Sequence, residues 1–187
     1  MLKNVGGDGF YVRMDVSDEL SVRKRYELIS SEIPYPNVLV NNVGVLSMKS
    51  IDGLSLDVWE YVLRVNLTGT FLVTKYFLPL LKEAPWVGIV NIASLAEQTD
   101  HSITSVAHYA AKGGVIRLTR RLVTELAPKI KVNAVAPSII ETDMVKNVLD
   151  TPEKRKRIAE MHPLKDIGRP EDVAEAVFFL ATPKSRF

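Results

Sequence analysis

Tyr109 and Lys112 stand three residues apart in Tyr-Ala-Ala-Lys, at the head of a segment running to Ala127 that reads as a helix. Each helical residue turns about 100°, so this spacing leaves both side chains on one broad face. The pair has a chemical use. A free tyrosine has a pKa near ~10, too high for a base at neutral pH, and a neighbouring ammonium favours the phenolate. Reaching neutrality asks roughly 3–4 kcal/mol of local electrostatics, at about 1.36 kcal/mol per pKa unit. Ser94 closes Ile92-Ala93-Ser94, where a hydroxyl at a strand end can meet a substrate carbonyl. Asn66, in Val65-Asn66-Leu67, sits in the middle of a long helical pattern. Asparagine fits poorly there, because its amide competes for backbone hydrogen bonds.

The elements that must position these groups alternate. Phe10 to Met14 reads as a strand, followed by a helix capped by Ser17 or Asp18 and running to about Ile33. Val38-Leu39-Val40 is a short apolar run that could be a buried parallel strand, and a long helical pattern covers Leu56 to about Leu81. Gly88 to Ile92 and Ile130 to Val135 are further strands, and Pro170 to Ala181 is a final helix with proline suited to its first turn. Strands alternating with helices predict an α/β fold with a doubly wound parallel sheet, as one domain over residues 1–187. In such sheets ligands bind beyond the carboxyl ends of the strands. Asp15, Asn42, Ser94 and Pro137 all fall just past predicted strand ends.

Bulk properties narrow the function classes. With 47% hydrophobic residues, 187 residues suffice for a sizeable core. Lys and Arg exceed Asp and Glu by 24 − 22 = 2 with the charges dispersed, which argues against a nucleic-acid face. The run Lys154-Arg155-Lys156-Arg157 reads as a solvated helix face. There is no cysteine, and the three histidines (His101, His108, His162) have no metal-ligand spacing, so no metal is expected. No apolar run approaches the roughly 18 residues of a membrane span, and a soluble cytoplasmic protein is the expectation.

Taken one at a time, the remaining motifs have ordinary readings. Asn41-Asn42-Val43-Gly44 could be a plain loop, Asp15 a helix-capping aspartate, and Pro137-Ser138-Ile139-Ile140-Glu141-Thr142 a loop after a strand. Read in order with Asn66, Ser94, Tyr109 and Lys112, they resemble the short-chain dehydrogenase/reductase family over almost the whole chain. That resemblance implies a Rossmann-like fold and an NAD- or NADP-dependent oxidoreductase interconverting an alcohol and a carbonyl by hydride transfer. It implies that Ser94, Tyr109, Lys112 and Asn66 carry the chemistry, with Asn66 marking a kinked helix and a proton relay. Asp15 and Val16 would contact the adenine, and Asn42, Val43 and Gly44 the adenosine ribose. Tyr109, Lys112, Pro137, Ile140 and Thr142 would hold the nicotinamide end. The polar stretch Asp143 to Gly168 would form a lid over a small-molecule substrate, and the helices from Leu56 and after Tyr109 would build a homo-oligomer.

The sequence departs from that family at named places. The family spacing is Tyr-x-x-x-Lys, and here it is one residue short. If Lys112 keeps the family's place, His108 enters the tyrosine slot; Tyr109, His108 and an absent dyad all stay open. Val43 and Ser138 replace the usual alanine and glycine. Gly6, Gly7 and Gly9 precede a strand and cannot serve as the pyrophosphate loop. Relative to the family, a leading strand, helix and strand, on the order of 30 or more residues, and the final strand are expected to be missing. A second reading follows: a non-catalytic relative that binds no dinucleotide by itself and works through a partner.

Overall fold

Three strands, β1 (Val38–Asn41), β2 (Val87–Ile92) and β3 (Ile130–Val135), form a parallel sheet in the order β1-β2-β3. The computed structural model describes residues 9–33, 35–97 and 104–185. The expected turn at Gly6-Gly7-Asp8, the break at Pro34, His101 and Phe187 lie outside those residues. Val38 pairs with Gly88 and Val87 with Ile130, so the strands start nearly level and end together at Asn41, Ile92 and Val135. β2 is central, and Ile89, Val90 and Asn91 are completely buried, which is why its sequence shows no polar alternation. β1, expected to be buried, leaves Val38 and Val40 exposed, because it is an edge strand among the described residues.

The two faces of β2 identify the two helical layers. Gly88 and Asn91 are an odd number of residues apart and point to opposite faces. Gly88 lies against the backbone of Ala181 in α6 (Pro170–Ala181), where an added Cβ would meet the Ala181 carbonyl carbon at 2.9 Å. Asn91 points the other way: its Nδ2 donates to Thr119 Oγ1 on α4 (Val106–Leu126) at 2.9 Å. Its Oδ1 accepts from Asn41 Nδ2 at 2.8 Å, and Asn41 Nδ2 also reaches Thr74 Oγ1 on α3 (Gly69–Glu83) at 3.0 Å. Outside α3 lies α1 (Glu19–Glu32), capped by the Asp18 carboxylate, which accepts from Leu20 N. Val22, Leu72, Val73, Phe77, Leu81, Ile89 and Ile130 form the main core between these layers.

The long helical pattern is interrupted. α2 (Leu56–Leu63) passes through a π-helical turn, Arg64–Thr68, into α3. A π turn takes up one extra residue and shifts the helix face at that point. Gly69 follows it because an added Cβ would stand 2.7 Å from Val16 Cγ2. α4 begins at Val106, three residues before its predicted start, behind Ser105.

Phe10 to Met14 does not form the predicted strand. Among the described residues it pairs with no other strand, and Tyr11 is 84% exposed. Aromatic and β-branched residues favour a strand only where a neighbour takes up the backbone groups. Here the Arg13 carbonyl accepts from the Arg25 side chain at 2.8 Å instead.

Candidate functional site

The loop after β1 is held from below by Asn66. Its Oδ1 accepts from Val45 N at 2.7 Å and its Nδ2 donates to the Val45 carbonyl at 2.8 Å, so one amide satisfies both backbone groups of one loop residue. Asn66 is wholly buried in the π turn, which explains an asparagine in mid-helix: its amide serves a neighbouring loop rather than its own helix. A Cβ added to Gly44 would sit 3.5 Å from Asn66 Oδ1 and 3.6 Å from Lys112 Nζ. Loop, π turn and α4 therefore converge on that glycine.

At the end of β2, the sheet's hydrogen bonding carries on between loops. Ala93 N donates to the Val135 carbonyl and Leu95 N to the Pro137 carbonyl, each at 2.8 Å. Ser94 lies between these bonds, half-buried, its hydroxyl oxygen accepting from Ala96 N at 3.2 Å.

Lys112 is 6% exposed and donates to the Ile92 carbonyl at 2.6 Å. Burial lowers its pKa from 10.5 to about 8. A lysine ammonium has three donors, and that carbonyl takes one.

The first turn of α4 decides which ring faces the site. On a helix His108 lies about 40° from Lys112 in projection, and Tyr109 about 60° away on the other side. The two rings are thus about 100° apart, and only one can point where Lys112 points. The structure puts His108, 8% exposed, on the cavity wall beside Lys112; Tyr109 is half-buried and does not line the cavity.

The segment after β3 meets the lid. Lid residues include a 3-10 turn, Asp143–Val145, and α5 (Pro152–Glu160), which Thr151 caps through Lys154 N. Glu141 N donates to the Gly168 carbonyl at 2.8 Å and Gly168 N to the Ile139 carbonyl at 3.2 Å, tying the far end of the lid to its near end. Arg155 grips Glu141 through both guanidinium nitrogens, which holds that carboxyl below its ordinary pKa. His162 Nδ1 donates to the Ile158 carbonyl at 2.9 Å, so its Nε2 accepts from Ser138 Oγ at 2.6 Å.

Between these pieces lies a cavity of about 790 Å³. Asn42, Gly44, Ser94, Lys112, Pro137, Ile140 and Thr142, chosen from the sequence, all line it. Asp15, Val16, Val43 and Asn66 do not. Asp15 is exposed and bound to Ser17, whose hydroxyl and backbone N both donate to Oδ1, and this lowers its pKa. Val16 is buried against Gly69. Sequence reasoning did not anticipate Met48, Met144, Met161 and His162 on the wall. Met144, Met161 and His162 lie within the predicted lid stretch Asp143 to Gly168, but no spacing there singles them out or links them to Met48. For His108, the four-residue step to Lys112 was the available signal. Among the described residues no cluster of His, Asp and Glu could hold a metal, and no helix is long and apolar enough to cross a membrane.

Comparison with known proteins decides the family. A family model described as enoyl-(acyl carrier protein) reductase matches residues 1–187. The chain belongs to the short-chain dehydrogenase/reductase family. The 3-oxoacyl-[acyl-carrier-protein] reductase of Aquifex aeolicus is 41% identical over 172 residues, covering 91% of this chain and 68% of that protein. The cis-4-hydroxycyclohexanecarboxylate dehydrogenase of Sinomonas cyclohexanicum is 35% identical over 188 residues, covering 100% and 74%. A gluconate 5-dehydrogenase of Burkholderia cenocepacia, solved with NADP and tartrate, superposes with a TM-score of 0.85 at 25% identity, covering 92% of this chain and 68% of that one. The three-stranded sheet is thus part of a Rossmann-like short-chain dehydrogenase/reductase fold, and the chain is of an oxidoreductase family.

Proposed function

We propose that this short-chain dehydrogenase/reductase interconverts an alcohol and a carbonyl with NAD or NADP. One observation carries the reading: seven residues from four separate segments, all chosen for that chemistry, meet around one cavity at the carboxyl ends of three parallel strands. The site fits such a cofactor. Gly44 leaves room beside a buried ammonium, Lys112, whose one hydrogen bond among the described residues leaves donors for ligand hydroxyls.

Bound nicotinamide supplies or accepts the hydride. Asn42, Gly44 and Lys112 would hold the cofactor on one wall and Pro137, Ile140 and Thr142 on the other. Ser94 offers its hydroxyl to the substrate oxygen. Asn66 fixes the loop that carries Gly44, and Lys112 sets the electrostatics for a proton exchanged from the first turn of α4. The lid keeps water out, with Met144, Met161 and His162 closing the wall. The protein acts in the cytoplasm as a homo-oligomer. Exposed Leu56, Tyr61 and Phe71 on α2 and α3 and Val106 and Val123 on α4 support self-association.

The test is a titration with NADH and NADPH, read by energy transfer from Trp59 and Trp86 to the reduced nicotinamide. Saturable binding at micromolar cofactor is expected. A folded chain with no transfer up to millimolar cofactor overturns the reading and leaves a protein that works through a partner.

A further inference from the structure

We propose that His108, rather than Tyr109, exchanges the proton with the substrate oxygen, through its Nε2. This rests on the oxidoreductase reading above and deepens it. His108 shares the cavity wall with Ser94 and Lys112, and it sits one helical turn before Lys112, the spacing that stacks two side chains on one face. Its Nδ1 is buried and makes no ordinary hydrogen bond among the described residues. Nε2 is therefore the ring nitrogen that a ligand in the cavity can reach.

The surroundings keep the ring ready to accept a proton. Burial lowers the His108 pKa below its usual value, the Lys112 charge lowers it further, and the nearby Val45 carbonyl works against both. Asp143 and His162 also border the cavity, but among the described residues Lys112 is the charged group that acts on His108. Near pH 7 the imidazole is neutral and its lone pair available.

In the oxidative direction the carbinol C–H bond breaks and its electron pair leaves with hydrogen as hydride to the oxidised nicotinamide. The alcohol O–H proton goes to His108 Nε2, giving a carbonyl and an imidazolium; reduction returns both. A neutral imidazole accepts this proton near neutrality without the pKa depression of roughly three units that a tyrosine requires.

Two measurements on the full chain test the assignment. The first is imidazole NMR across pH, with the His108 signal identified by its loss in His108→Gln, and with NADPH then added. A His108 signal that titrates below pH 6.5 and shifts with NADPH supports the proposal. If energy transfer shows NADPH bound while the His108 signal stays unmoved, the proposal falls and the oxidoreductase reading stands. If neither NADH nor NADPH binds, both fall. The second is oxidation of cis-4-hydroxycyclohexanecarboxylate and reduction of a 3-oxoacyl thioester, the substrate types in two relatives' names. His108→Gln is expected to lose at least about a hundredfold and Tyr109→Phe less than about tenfold. Oxidation should fall about tenfold per unit of acid below the His108 pKa. A larger loss in Tyr109→Phe, or an oxidation limb set above about pH 8, overturns it.

Discussion

Lys112 is where a single residue leaves a measurable imprint on the whole chain. Its pKa is about 8 in the folded protein, against 10.5 for a free side chain, because burial penalises the ammonium. Between those values the unfolded chain binds the extra proton, so unfolding free energy rises with pH across that window. The slope approaches about 1.36 kcal/mol per unit, and the full effect is on the order of 3 kcal/mol. Urea unfolding at several pH values from about 7.5 to 10.5 should show this rise, and Lys112→Met should remove it while other lysines titrate as before. An identical slope in both proteins would mean that the lysine is solvated. The spacing to Lys112 was legible in the sequence, but its consequence was not. Three- and four-residue steps both lie on one helix face, and only the helix start at Val106 and the packing of α4 turned His108 inward and Tyr109 away.

At the scale of elements, the buried amides hold the layers together. Asn91 bonds to Asn41 on β1 and Thr119 on α4, Asn41 reaches Thr74 on α3, and all four side chains are buried. Replacing Asn91 by Leu leaves one Asn41 amide N–H and the Asn91-facing side of Thr119 without a partner away from water, at roughly 1–3 kcal/mol for each unsatisfied group. Chemical denaturation should register a loss of about 2–4 kcal/mol. Two glycines make the converse comparison. Gly113, in α4, has nothing within 4 Å of where an added Cβ would stand, so Gly113→Ala should stabilise by up to about 1 kcal/mol through helix propensity. Gly88→Ala would drive into the Ala181 backbone and should separate α6 from the sheet, lowering the melting temperature sharply. The element pattern itself was readable, because a central parallel strand must be apolar throughout and a long helix shows its period. What was not readable was the pairing of β1, β2 and β3 without Phe10 to Met14, since strand formation depends on a partner distant in sequence.

For the molecule as a whole, the lid is the part most open to conditions. Two kinds of attachment hold it over the cavity. The backbone exchange between residues 139–141 and Gly168 is neutral, and beside it stands the Ser138 to His162 hydrogen bond, which owes its hydroxyl to the residue that stands where the family usually has glycine. The Arg155 to Glu141 pair is ionic, with each side chain nearly half exposed, so solvent screening keeps it weak. Salt acts on the second attachment and leaves the first. Amide exchange in residues 146–166 should therefore quicken about two- to fivefold in Arg155→Met, the modest opening expected from loss of a screened surface ion pair. Molar salt should speed the unmodified chain by a similar factor and leave Arg155→Met nearly unchanged. Ser138→Gly should quicken exchange at both salt concentrations, because a neutral hydrogen bond is not screened. If salt affects Arg155→Met as much as the parent, the ionic contact does not hold the lid, and the backbone exchange at Gly168 together with the Ser138 to His162 bond keeps it over the cavity.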